Sequence, residues 1–134
     1  MSEYDRIRDI IDAHYAAGAT GDLPGMVKDF AEDITWTEAA GGPYAGTYVG
    51  VPAIITGVFA RAGGEYEGFG VIVDALIVDG ERGQVAALGS YTGIHRATGK
   101  TLDARLVHVW TVVGGSIIAF EQVVDSAAQL SSAS

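Results

Sequence analysis

The stretch Ala104–Asp125, ARLVHVWTVVGGSIIAFEQVVD, decides the fold. Its side chains alternate on either side of Gly114-Gly115, the pattern of two strands joined by a turn so short that they must run antiparallel. In the first run Leu106, His108, Trp110 and Val112 share a face, and in the second Ile118, Phe120, Gln122 and Val124 do. His108 and Gln122 are therefore polar residues in otherwise apolar rows. Upstream, FGVIVDALIV (69–78) and QVAALGSYTGIH (84–95) have the same period and are separated from their neighbours by short Gly-containing segments, which predicts four consecutive antiparallel strands. Both faces of these runs are largely apolar. Helices can cover only one, and a second copy of the chain is the economical cover for the other. Arg105, opposite in parity to His108, reads as outward, in that interface or paired with Asp103 or Glu121.

Ahead of the strands the spacing is helical. Ile7, Ile10, Ile11, His14, Tyr15 and Gly18 mark one face of a first helix, with Ser2 and Asp5 as a capping pair and Gly18 to Gly21 as its end. Asp22 and Pro24 open a second, whose buried stripe would be Leu23, Met26, Val27 and Phe30. Ile34 to Glu38 reads as a strand, AAGGPYAGTYVG (39–50) as a loop, and Val51, Ile54, Ile55, Val58 and Phe59 as a third helix stopping at Gly63-Gly64. Helices first and a long antiparallel sheet afterwards is an α+β arrangement: three helices on the concave face of a curved sheet, a cone with an open end.

Composition narrows the possible partners. A chain of 134 residues is the size of one domain, and 49% hydrophobic residues with a mean hydropathy of +0.25 suggest apolar surface beyond a single core. A formal charge of -9 disfavours nucleic acid and anionic membrane surfaces. There are no cysteines, the N-terminus MSEYDRIRDI lacks the apolar run of a signal peptide, and a cytoplasmic location is expected. The tail SSAS (131–134) looks low in complexity.

One carboxylate stands out. Glu38 lies two residues beyond Trp36 on the same strand face, so it borders whatever environment the indole occupies. Either it is a solvated strand end, or it lines a cavity where lost hydration raises its pKa and makes it a better base. His14 falls on the apolar stripe of the first helix, as a core residue or a cavity group, and His108 with Gln122 either bond each other or orient a ligand carbonyl. Tyr91 on the second long strand, and Tyr44 and Tyr48 in the glycine-rich loop, are pocket candidates, as is His95. The three histidines lack metal-ligand spacing, no serine lies in GxSxG, and the glycine loop fits no phosphate-binding pattern.

The segments HYAAGATGDLPGMVKDFAEDITWTE, PYAGTYVGVPAI, YTGIHRATGK, RLVHVWTVVGGSI and EQVVDSA resemble the nuclear-transport-factor-2-like (NTF2-like) superfamily, within it the ketosteroid-isomerase-related and SnoaL-like polyketide cyclase group, over nearly the whole chain. The resemblance implies a hollow cone, a homodimer through the outer face of the sheet, no cofactor, no metal, and proton-transfer chemistry on a small hydrophobic carbonyl compound. It puts Glu38 at the position of the isomerase's proton-shuttling acid and His14, beside Tyr15, at that of its oxyanion-donating tyrosine. His108 matches the histidine of the cyclases, and Gln122 stands where they carry an aspartate. Tyr15, Trp36, Tyr44, Tyr48, Tyr91, Trp110, Phe120 and Gln122 would contact the substrate. Non-catalytic binders share the same cone, so a binding protein is the alternative expectation.

Overall fold

The computed structural model describes all 134 residues. Helix α1 (Glu3–Ala19) is capped as its sequence requires: Ser2 Oγ accepts from the Asp5 amide, and Asp5 returns a bond to the Ser2 backbone. Asp22 caps the short α2 (Leu23–Val27), but no residue of α2 is buried. Phe30, assigned to the second helix by its spacing, instead opens strand β1 (Phe30–Glu38). The expected loop also contains a strand, β2 (Gly46–Val49), which pairs antiparallel with β1. Helix α3 (Val51–Ile54) continues through a π turn (Ile55–Phe59) into α4 (Ala60–Glu65), past the glycine pair expected to end it. The widened turn contains Gly57, where any side chain would overlap the Tyr48 ring packed against the backbone.

Four long strands follow: β3 (Tyr66–Asp79), β4 (Gln84–His95), β5 (Thr101–Val113) and β6 (Ser116–Val124). They form consecutive antiparallel pairs, and the six-stranded sheet runs β2-β1-β6-β5-β4-β3, with β1 parallel to β6. Irregularities around Asp74 and Ile118 bend it into a trough. At the first of these, Gly89 meets the Ile72 carbonyl so closely that no Cβ fits. The second corrects the face assigned to Ile118: the extra residue turns Ile117 inward (1% exposed) and leaves Ile118 outside (38% exposed). The tail is ordered as helix α5 (Ser126–Ser132), capped by Asp125, whose carboxylate accepts from the Ala128 amide.

The core follows the alternation of the strands. Ile34, Trp36, Val85, Trp110, Val112, Ile117 and Phe120 face inward and pack against Ile7, Ile11, Ile54 and Val58 of the helices. The outer face stays open in the single chain, with Ile72, Ile77, Val113 and Val123 all more than half exposed. Arg105 does point outward, but it pairs with Asp74 at 2.6 Å rather than with Asp103 or Glu121, because the bulge turns Asp74 toward it. No helix is long and apolar enough to cross a membrane.

Candidate functional site

Between the concave face of the sheet and the helices lies a cavity of about 530 Å³, within the range of small-molecule sites. Exposed residues at its open end include Gly18 and Ala19 in the last turn of α1, Gly21 after it, Gly63 of α4, Gly68 of β3 and Arg96. Its inner end is polar. Glu38, at the last position of β1, is 5% exposed and reaches the cavity, and both of its oxygens are held: Oε2 accepts from Trp36 Nε1 at 2.9 Å and Oε1 from Gln122 Nε2 at 3.1 Å. Burial removes hydration from the carboxylate and pushes its pKa up to about 7, against the opposing pull of the two donors, which favour the charged form.

From Glu38 a chain of side-chain hydrogen bonds crosses the sheet. Gln122 Oε1 accepts from the Ala39 amide at 3.0 Å, which fixes the orientation of the side-chain amide, so that Nε2 donates both to Glu38 and to Tyr91 Oη at 2.6 Å. Tyr91 Oη then places its own proton on its remaining partner, His108 Nε2, 2.6 Å away. His108 is fully enclosed; desolvation first, and the neighbouring His14 second, hold its pKa down at about 3, so the ring is neutral. With Nε2 accepting, the neutral ring carries its proton on Nδ1 and donates to Tyr15 Oη at 2.6 Å. Tyr15 Oη also accepts from Trp110 Nε1 at 2.9 Å. Both acceptor positions of the Tyr15 oxygen are filled from within the protein. Its own proton is free for the cavity that the residue lines.

His14 is oriented differently. Its Nδ1 donates to the Met26 carbonyl at 2.9 Å, and burial lowers its pKa to about 4, so the neutral ring keeps a bare Nε2. It lines the cavity as a hydrogen-bond acceptor. His108 and Gln122 do not bond each other, although their Cα atoms are paired in the sheet; Tyr91 Oη connects them.

Of the residues expected to contact a ligand, Tyr15, Trp36, Tyr44, Tyr91 and Gln122 line the cavity, as do Glu38, His14 and His108. Three do not. Trp110 and Phe120 are 0% and 2% exposed and form the floor beneath it, where Phe120 stacks on Trp36 at 3.6 Å between ring centres. Tyr48 packs behind the π turn and donates to the Tyr44 carbonyl at 2.7 Å. His95 is also outside; its Nδ1 accepts from the Thr98 amide in the β4–β5 turn. Phe69, Tyr66, Arg96 and Gln129 line the cavity without having been singled out in the sequence. A period-two reading of β3 could have found Phe69, but nothing in SAAQLSS signals Gln129. No cluster of three His, Asp or Glu side chains is arranged to hold a metal.

The fold recurs in known proteins. An NTF2-like protein from Burkholderia thailandensis is 38% identical, with a TM-score of 0.90 over 100% of this chain and 98% of that one. Bal32a, from a soil-derived mobile gene cassette, is 26% identical with a TM-score of 0.85, each chain covered to 95%. TerC, co-crystallised with polyporic acid, is 22% identical with a TM-score of 0.84, covering 95% of this chain and 97% of its own. No curated protein matches the chain. The SnoaL-like domain model matches residues 11–120, a span that holds β1 to β5, the first half of β6, and Tyr15, Glu38, Tyr91 and His108, with Gln122 two residues beyond its end; the protein belongs to the SnoaL-like domain family of the NTF2-like fold.

Proposed function

We propose that the protein is a cofactor-independent enzyme that moves a proton next to the carbonyl group of a small, largely apolar compound, in an isomerisation or a cyclisation. One observation carries this reading: a buried carboxylate faces an apolar cavity with its pKa close to neutrality, and the same cavity is lined by a phenol whose proton has no acceptor in the protein. A base is most effective when its pKa matches the working pH.

In this mechanism the Glu38 carboxylate takes a proton from the carbon beside the carbonyl. The C–H electron pair moves into a new carbon–carbon double bond and the carbonyl pair onto oxygen, giving an enolate. Tyr15 donates its free proton in a hydrogen bond to that oxygen, while His108 and Trp110 hold the phenol in place. Glu38, now neutral, returns the proton to another carbon of the conjugated system, so the protein ends unchanged. The alternative donor expected at the sequence level, His14, is left as an acceptor by its bond to Met26, and His108 acts through Tyr15 rather than on the substrate.

The same cavity also fits a non-catalytic binder, since Glu38 is satisfied by Trp36 and Gln122 without a ligand. TerC, of similar fold, was co-crystallised with the small molecule polyporic acid, which agrees with either use of the cone. Glu38→Gln separates them: an enzyme keeps its ligand affinity and loses conversion of a β,γ-unsaturated bicyclic ketone to the conjugated isomer, whereas a binder shows no turnover before or after. We further infer that a second copy of the chain covers the exposed apolar outer face of the sheet.

A further inference from the structure

The polar groups at the inner end of the cavity are bonded to one another, but the wall formed by the β1–β2 loop and α5 is different. Gln129 of α5 is 2% exposed and lines the cavity. Its backbone is fully used, the N–H donating to the Asp125 carbonyl and the carbonyl accepting from the Ser132 and Tyr66 hydroxyls. Its side-chain amide makes no hydrogen bond within the protein. Tyr44, on the adjoining loop and 3% exposed, also lines the cavity, and its hydroxyl is buried without a hydrogen-bond partner. The amide lies against the loop at Gly42, where a Cβ would sit in ordinary contact, 3.5 Å from Gln129 Oε1. Buried amides and hydroxyls are costly without partners, and folded proteins pair nearly all of them. Tyr44 Oη is the one fully buried side-chain polar atom without a partner, and the Gln129 amide, unbonded to the protein, reaches the cavity surface; together they mark a wall completed by a bound molecule.

We propose that Gln129, with Tyr44 beside it, forms a second polar subsite that holds a neutral oxygen substituent, a hydroxyl or carbonyl, of the ligand. An amide both donates and accepts, which matches a neutral oxygen rather than an ion, and the chain's formal charge of -9 disfavours an anionic ligand. The substrate class is thereby narrowed to compounds with two oxygen functions, one facing Glu38 and Tyr15 and one facing Gln129. This inference rests on reading the cavity as a site for carbonyl compounds.

The test compares 2-acetonaphthone with its isomers hydroxylated on the second ring, by quenching of tryptophan fluorescence in the wild type, Gln129→Leu and Tyr44→Phe. At least one hydroxylated isomer is expected to bind about tenfold more tightly than the parent ketone, the size of one good hydrogen bond. In Gln129→Leu that preference is expected to shrink to within about twofold, and in Tyr44→Phe by a smaller factor. Ligand-free Gln129→Leu is expected to melt at or above the wild-type temperature, because the amide it loses has no partner in the protein. The proposal is overturned if no isomer binds better than the parent, if none of the ketones binds, if the preference survives Gln129→Leu, or if that variant melts several degrees lower without ligand. The parent reading is tested separately, by the dependence of turnover on Glu38.

Discussion

Tyr15 Oη lies 2.6 Å from His108 Nδ1, although 93 positions separate the two residues in the chain. The contact joins the first helix to the middle of the sheet and determines which proton of the network faces the cavity. Tyr15→Phe is therefore expected to lower turnover by about 100-fold to 1,000-fold, the usual loss when one oxyanion donor is removed. Ligand affinity should change little. The variant should also be less stable by about 1–3 kcal/mol, since the His108 and Trp110 donors lose their acceptor in a buried place. Steady-state kinetics and a melting curve check both, and unchanged turnover would remove Tyr15 from the mechanism.

The proton order of the network is directly observable. Nitrogen-15 NMR of the histidine rings is expected to find His14 and His108 neutral above pH 5, each protonated on Nδ1, because the Met26 carbonyl can only accept and Tyr91 donates to His108 Nε2. A His108 ring protonated on Nε2 would reverse the chain and take the free proton from Tyr15.

Glu38 sets the pH dependence. Its carboxyl is raised to about 7 by burial, and only the ionised form is a base, so kcat/KM should rise with pH to a plateau above an apparent pKa near 7. The Gln122 amide favours the charged form, and Gln122→Leu should move that limb to higher pH. For stability the sign is opposite. Between the ordinary value of 4.5 and 7 the folded protein holds a proton that the unfolded chain releases, so the contribution of Glu38 to stability falls as pH rises through that window. A profile flat from pH 5 to 9 would show that another group supplies the base.

The outer face of the sheet yields a test of assembly. Light scattering is expected to find twice the 13.9 kDa chain mass, and Val123→Asp, on the exposed face of β6 opposite Val107, should shift it to one. A wild-type monomer at micromolar concentration would leave the apolar face to some other partner.

Much of this was legible in the sequence wherever a single period governed a segment. The bounds of β4 coincide with QVAALGSYTGIH, and Trp36 and Glu38 share a face and a hydrogen bond as their two-residue spacing requires. Readings failed where context overrode period. The strand GTYV begins at Gly46, is followed by Gly50, and gains its identity only by pairing with β1. A single extra residue in β6 exchanged the faces of Ile117 and Ile118, and a bulge in β3 gave Arg105 a partner remote in sequence. Small and polar residues hid α5, and Gln129 with it. The role of Tyr15 was beyond local reading because it depends on an orientation passed from the Ala39 amide through Gln122, Tyr91 and His108.

The most direct measurement is turnover of a β,γ-unsaturated bicyclic ketone by the wild type and by Glu38→Gln, followed through the absorbance of the conjugated product, with ligand affinity measured in parallel. The substitution keeps the shape of the side chain and removes the base, so kcat is expected to fall by at least about 100-fold while affinity stays within about threefold. Turnover within about tenfold of the wild type, on protein that still binds the ketone, would contradict the assignment of Glu38 as the proton carrier.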